Sequence, residues 1–281
     1  MTALIVSNLT KRYPAFVLDG VSFRVEEGRI CGLVGANGAG KSTTLKGIMG
    51  LIRTEGSAEV FGIPSYEREA KAVVGYAGGG FRAYPQKRVG ALANAVAPFY
   101  SAWNGEKFAR YCDRFGLDPQ KKTSELSEGM RVKLSLALAL SHGARLLILD
   151  EPTSGLDPLS REEFCDTVLS LVLEEGVAVL FSSHIVSDLT RIADDIVLLS
   201  NGRLLVEEPL RSLAEKYLAA TAPDRAALSG AIGVKTVKEG YEGLVPRDRQ
   251  MKGVALREPT LDEIIVHLEY ERRNSGGAGA L

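Results

Sequence analysis

The stretch "RICGLVGANGAGKSTTLKGIMG", residues 29–50, decides the fold of this chain. It opens with "RICGLV", a short run rich enough in Ile, Leu and Val for a strand buried on both faces. The run passes directly into "GANGAGKST" (residues 35–43) and then into the helical pattern "TLKGIMG". Strand, G-x-x-x-x-G-K-[ST] loop and helix, in that order, are the context that a phosphate-binding loop requires. Glycines allow successive backbone N–H groups to converge on phosphate oxygens, and the helix N-terminus adds the positive end of its dipole. In such a loop Lys41 reaches the β- and γ-phosphates as a point charge, and the Ser42 hydroxyl ligates Mg²⁺.

The other Mg²⁺ partner belongs at the end of a second buried strand. "RLLILDEPTSGLDP" (residues 145–158) supplies it, with Asp150 for the metal shell and Glu151 beside it. A carboxylate next to the metal and a second one adjacent is the arrangement that orients and deprotonates an attacking water. A third apolar run, "VAVLFSSH" (residues 177–184), ends in His184. Three buried strands with polar chemistry at their C-terminal ends are the pattern of a doubly wound α/β fold. Taken singly, some of these residues have structural explanations: Asp157 before Pro158 reads as a helix N-cap with proline at the first helical position. His184 alone reads as an ordinary loop histidine.

Composition limits the alternatives. With 281 residues the chain can hold one large domain and a small appendage, and 45% hydrophobic content supports a sizeable core. The charges, 34 basic against 35 acidic, give no electrostatic case for a nucleic-acid partner. Three scattered cysteines, Cys31, Cys112 and Cys165, have no metal-ligand spacing and suit a reduced, cytoplasmic compartment. The start "MTALIVSNLTKRY" reads as no secretory signal, and the apolar run "LSLALALSHGARLLILD" is interrupted by Ser141, His142, Gly143 and Arg145. A membrane connection is therefore expected to come through another chain.

The order of segments resembles the ATP-binding cassette (ABC) ATPases, the nucleotide-binding subunits of ABC transporters. After the phosphate loop come "ELSEGMRVKLSLALALSH", similar to the family's signature segment, then "LLILDEPTSGLDP", then "SSHIVSD". The resemblance covers about residues 4–218. It implies an α/β phosphate-loop core, with a mostly parallel sheet plus an antiparallel β part. A helical subdomain at about 80–142 and a small α+β extension at 219–281 complete the expected organisation. By resemblance Tyr13, in "LTKRYP", stacks on adenine. Gly35, Ala36, Asn37, Gly38, Ala39, Gly40, Lys41, Ser42 and Thr43 surround the phosphates of ATP, and Ser42 and Asp150 hold Mg²⁺. Glu151 is the general base and His184 the γ-phosphate sensor.

These ATPases work as head-to-tail dimers, homo- or heteromeric, so Ser127 and Gly129 meet the nucleotide of a second subunit and Asp157 joins the two sites. Ser127 is also a plain N-cap candidate, which would aim free helix N–H groups at an anion. Glu128 stands where the family commonly has glycine, and Met130 where it has glutamine. A further departure is larger: in "VGYAGGG" (residues 74–80), Gly79 occupies the place of the glutamine that touches Mg²⁺ and the attacking water. The run of Gly78, Gly79 and Gly80 also begins the loop that faces the membrane subunit in this family. "PFYSAW" and "FARYCDRFGLD" look most like exporters of the drug and antibiotic type.

The resemblance thus implies an ATPase subunit that drives export through a separate transmembrane permease, on the cytoplasmic face of the membrane. A soluble cassette ATPase acting outside transport is the alternative. Repair types carry a long coiled coil and translation types carry two cassettes in one chain, and this sequence has neither pattern. The aromatic set Phe99, Tyr100, Trp103, Phe108, Tyr111 and Phe115 lies at helical spacing and reads as core, with some members free to line a docking groove. Asn201-Gly202 between "IVLLS" and "RLLVE" predicts a type I′ hairpin. Near the C-terminus, "AIGVKTV" and "GVALRE" suggest strands, and "PTLDEIIVHLEYERR" is an amphipathic helix with a Thr260/Glu263 capping box. That helix either packs on the extension or serves a dimer contact, and "NSGGAGAL" reads as a flexible tail.

Overall fold

Continuous apolar runs and alternating ones fold into different sheets. A computed structural model of the chain describes residues 1–78, 84–249, 251 and 253–276, with the side chains of 275 and 276 left aside. It divides into two units, Met1–Glu207 and Glu208–Leu281. The division falls earlier in the chain than the expected end of the cassette at residue 218.

In the first unit, β1 (Thr2–Tyr13) pairs antiparallel with β2 (Phe16–Glu26). Along β2 the side chains of Val21, Phe23 and Val25 are buried while Ser22 and Arg24 point the other way, the period of a one-sided strand. By contrast β3 (Ile30–Val34) is buried at every position. It leads into α1 (Lys41–Ile48). β4 (Glu55–Val60) and β5 (Ile63–Pro64) complete the antiparallel sheet in the order β2-β1-β4-β5. α2 (Arg68–Ala72) then precedes β6 (Val74–Gly78).

A helical part follows: α3 (Val89–Val96), a 3₁₀ turn at Ala97–Phe99, α4 (Gly105–Phe115), a second 3₁₀ turn at Thr123–Glu125, and α5 (Glu128–Ser141). Asn104 caps α4 by accepting from the Lys107 N–H, and Gly116, at φ +64°, ends it in the left-handed conformation. Phe108, Tyr111 and Phe115 lie on the buried face of this helix, whereas Phe99 is 78% exposed. The aromatic set is therefore split between core and surface.

The chain returns to the main sheet with β7 (Leu146–Asp150), α6 (Pro158–Glu175), β8 (Ala178–Ser183), α7 (Val186–Ile192), β9 (Asp195–Ser200) and β10 (Arg203–Pro209). The six strands lie in the order β10-β9-β3-β8-β7-β6, and the pairs from β9 to β6 are parallel. Asn201 and Gly202 both have positive φ, 46° and 76°, as the predicted hairpin requires. Gly202 is also a steric necessity, since a Cβ there would sit 1.8 Å from the Val17 carbonyl oxygen. Register aligns the ends that matter: Val34 is opposite Ser183, Asp150 opposite Ser182, and Gly78 opposite Asp150. The C-terminal ends of β3, β6, β7 and β8 therefore share one edge of the sheet.

The second unit holds α8 (Leu210–Lys216), β11 (Tyr217–Ala222), β12 (Ile232–Val237), β13 (Gly240–Pro246), β14 (Ala255–Arg257) and α9 (Leu261–Gly276). Its strands form an antiparallel sheet in the order β12-β13-β11-β14, with α9 lying against β12 and β13. Leu261, Ile264 and Ile265 are buried, so the amphipathic helix packs on its own unit. The capping box forms as read: Thr260 N–H donates to Glu263 Oε2 (2.8 Å) and Glu263 N–H to Thr260 Oγ1 (3.2 Å). The tail beyond residue 276 lies outside the described residues.

Candidate active site

The loop after β3 is built around three glycines with positive φ, Gly35, Gly38 and Gly40, which a side chain would strain. Gly35, at φ +155°, would put a Cβ 2.3 Å from the Leu199 carbonyl oxygen. Gly40, the N-cap of α1 at φ 112°, would bring one to 3.0 Å from Leu18 and 3.1 Å from Phe16. At Gly38, φ +84°, nothing lies within 4 Å. The loop is thus held tightly at its two ends, with open space around its tip at Asn37 and Gly38, which are exposed. Ala36, Ser42 and Thr43 are half-buried, and Ala39 is buried.

Lys41 is only 5% exposed. Its ammonium donates to the Gly35 carbonyl at 2.6 Å and to the Ala36 carbonyl at 3.4 Å, and lies 3.1 Å from Glu151 Oε1. Loop, strand end and carboxylate thereby meet at one cation. Beside it, Asp150 Oδ1 accepts from the Ser42 hydroxyl (3.2 Å) and from the Ser182 hydroxyl (2.9 Å). The Tyr76 hydroxyl lies 3.4 Å from Asp150 Oδ2. Burial and the neighbouring Asp150 push the Tyr76 phenol up to about 12, so it stays a donor at neutral pH.

Glu151 has φ +50°, a left-handed conformation that costs a non-glycine residue roughly 1–3 kcal/mol. Neighbouring contacts impose it: the Glu151 N–H donates to both the Ser182 hydroxyl (3.0 Å) and the Ser182 carbonyl (3.2 Å). The twist turns the carboxylate between two partners, Lys41 on Oε1 and the His184 Nδ1 on Oε2 at 2.6 Å. Lys41, Ser42, Asp150, Glu151 and His184 are therefore one connected polar cluster at the sheet edge. The donor set fits a hard divalent cation beside a phosphate chain: a hydroxyl and a carboxylate adjacent to each other, with a buried lysine alongside.

The remaining sequence candidates sit elsewhere in the first unit. Tyr13 is 41% exposed, its ring 6.5 Å from that of Phe16, and Phe16 in turn packs toward Gly40. Tyr13 is thus a neighbour of the loop by way of Phe16. Ser127 caps α5, accepting from the Met130 N–H at 3.2 Å. The Glu128 carboxylate is neutralised by Arg131, 2.9 Å away. A Cβ added at Gly129 would meet nothing closer than Leu156, at 3.7 Å, so there is room around this glycine. Asp157 caps α6 through the N–H groups of Leu159 and Ser160, both at 3.1 Å, and Ser160's hydroxyl holds its carboxyl below the usual range. Among the described residues, no hydrogen bond or ion pair joins Ser127, Gly129 or Asp157 to the Lys41 cluster. Of the glycine run, Gly78 ends β6, while Gly79 and Gly80 lie outside the described residues.

Sequence reasoning missed three contributors. Ser182 links both carboxylates of the site, Tyr76 approaches Asp150, and buried Thr153 donates to Asp188 at 2.6 Å, tying the segment before Asp157 to α7. All three lie inside stretches quoted above, but the partner of each is distant in sequence. The signal that could have found Ser182 was its place beside His184 at a strand's C-terminal end.

These features define a phosphate-loop NTPase. The sequence pattern of the family described as ABC transporter matches residues 18–154. "Bacitracin transport ATP-binding protein BcrA" of Bacillus licheniformis is 34% identical over 229 residues, covering 77% of this chain and 74% of BcrA. "Probable multidrug ABC transporter ATP-binding protein YbhF" of Escherichia coli is 38% identical over 213 residues, covering 73% of this chain and 36% of YbhF. The solved structure "Structure of ATP binding subunit of ABC transporter" superposes with a TM-score of 0.67 at 27% identity, over 75% of this chain and 91% of that one. The chain belongs to the ABC transporter family and is one of its ATP-hydrolysing, ATP-binding subunits.

Proposed function

We propose that this chain binds Mg²⁺-ATP at the loop of residues 35–43, closes on it with a second ATPase subunit, and drives export through a separate transmembrane permease. The observation that carries the reading is the convergence of Lys41, Ser42, Asp150, Glu151 and His184 at one sheet edge. The loop amides and Lys41 bind the phosphates, while Tyr13 presents an aromatic face for the base. Ser42 and Asp150 would hold Mg²⁺, whose charge offsets that of the phosphate oxygens.

Lys41 now shares its charge with Glu151. Phosphate oxygens compete for that ammonium, which leaves the Glu151 carboxylate free to accept a proton from the attacking water at Oε1. His184, on Oε2, keeps the carboxylate oriented. Ser127, Gly129 and Asp157 lie apart from this cluster, which suits residues that serve the nucleotide of a second subunit. The Glu128–Arg131 pair removes the objection that an acid at position 128 would repel phosphate.

BcrA is a bacitracin transport protein by name, and this relationship supports export of a drug- or antibiotic-like cargo. No helix among the described residues is long and apolar enough to cross a membrane; the relationship to ABC transporter subunits supports assigning the translocation path to a partner permease. We place the chain at the cytoplasmic face of that permease. Affinity purification of the tagged chain from detergent-solubilised cells tests the assignment: an integral membrane protein should accompany it in fixed proportion. Recovery of an active ATPase without any membrane protein, from both membrane and soluble fractions, would favour a role outside transport.

A further inference from the structure

We infer that Tyr76 is a positioning residue of this site, holding the Asp150 carboxylate from β6, the strand whose continuation has glycine at position 79 and so offers no side chain there. The inference rests on the nucleotide–metal reading of the same site and adds a residue to it.

The two carboxylate oxygens of Asp150 have different surroundings. Oδ1 accepts two hydroxyl hydrogen bonds, from Ser42 and Ser182. Oδ2 meets the Tyr76 hydroxyl at 3.4 Å, at the long end of the hydrogen-bond range. Three hydroxyls from three segments (α1, β8 and β6) thus fix the rotation of one carboxylate about its terminal torsion. That torsion is otherwise broad and soft. Parallel register explains how Tyr76 reaches so far: it is opposite Ile148, two residues before Asp150, and its long ring leans along the strand toward the C-terminal edge.

An independent feature of the strand points the same way. Gly78 follows Tyr76 by two positions, so both face the same side of the sheet. A Cβ on Gly78 would lie 2.8 Å from the Tyr76 hydroxyl and 3.2 Å from two ring carbons. Gly78 does not have a positive φ, so its backbone demands no glycine. The missing side chain makes room for the phenol. A tyrosine ring that is 37% exposed, with a glycine clearing its path to a carboxylate, is placed for the hydroxyl as well as for packing.

The test uses the full chain in a Glu151→Gln background, which retains nucleotide, and compares Tyr76→Phe with its parent. ATP affinity is measured with Mn²⁺ and with EDTA on each protein, and the ratio of the two affinities is the readout. Tyr76→Phe should lower that ratio about five- to tenfold, the range for losing one ordinary hydrogen bond and below that for a short bond to a charged group, as suits a contact of 3.4 Å. A general loosening of the fold would weaken both affinities together and leave the ratio unchanged. Gly78→Ala, which displaces the phenol by contact, should lower the ratio in the same direction. A Tyr76→Phe ratio within twofold of the parent's overturns the inference. If the parent itself shows no metal enhancement, the metal reading of the site falls, and this inference with it.

Discussion

Replacing Lys41 by alanine removes the cation on which loop and carboxylates converge. At 3.1 Å the gross attraction between Lys41 and Glu151 is about 5 kcal/mol at an effective dielectric of 20. Desolvation of a lysine that is 5% exposed takes back most of this, so the pair contributes little net stability to the nucleotide-free fold. Glu151 keeps His184 and is 21% exposed, so the variant leaves no isolated buried charge. The nucleotide-free protein should therefore lose only about 1–2 kcal/mol of stability, less than the 3–5 typical of breaking a dry ion pair. Binding is different. A desolvated, charge-assisted contact to phosphate is worth about 2–5 kcal/mol on truncation, so ATP affinity should fall at least roughly thirtyfold. Isothermal titration of the full chain with Mg²⁺-ATP, paired with urea denaturation without nucleotide, separates the two effects. An unchanged affinity would refute the phosphate-loop account, because no other buried cation approaches this edge among the described residues.

Ser182→Ala removes the donor to Asp150 and the acceptor from the Glu151 N–H together, and kcat should fall about tenfold or more while ATP affinity changes little, read in steady-state assays. Introducing Gly79→Gln supplies the side chain that resembling ATPases have there; the free subunit should hydrolyse ATP faster, and stimulation by the permease should shrink, both measured with and without the reconstituted partner. Identical rates in both conditions would make the glycine run a permissive turn only. In the second unit, the Arg257 guanidinium holds the Glu263 carboxyl down to about 2. A depressed folded pKa stabilises the native state above the unfolded value, near 4.5, and that contribution is lost as pH falls toward 2. Glu263→Gln should thus cost stability at pH 7, by no more than about 1 kcal/mol for a partly exposed pair, and most of that cost should be gone at pH 2, as followed by urea denaturation.

Much of this molecule is legible in sequence where a single segment carries its own physics. The loop at residues 35–43, the Asp157-Pro158 cap, the Asn201-Gly202 hairpin and the Thr260/Glu263 box are short-range devices, and each forms as read. The strands β11 and β13 escape a sequence reading because "YLAATA" and "GYEGLVP" each carry a single β-branched residue, Thr221 and Val245, and only pairing within the sheet defines them. Tyr76 and Ser182 act through register between strands distant in sequence, and Thr153 through a contact with Asp188 on α7, none of which periodicity can reveal. Glu128 reads in sequence as a charge added near phosphate; its partner Arg131, one turn away, shows why it is tolerated.

The claim at the centre of this account is that Glu151, turned between Lys41 and His184 by its left-handed backbone, is the base for ATP hydrolysis. The most direct measurement is single-turnover hydrolysis of Mg²⁺-ATP by Glu151→Gln against the wild type, with size-exclusion chromatography of both in the same nucleotide. Glutamine keeps the shape but cannot take the proton, so the chemical step should slow by about 10²–10⁴ while ATP remains bound. The uncleaved nucleotide should then hold two ATPase subunits together, visible as an ATP-dependent dimer that the wild type forms only transiently. Hydrolysis by Glu151→Gln at the wild-type rate would contradict the assignment outright.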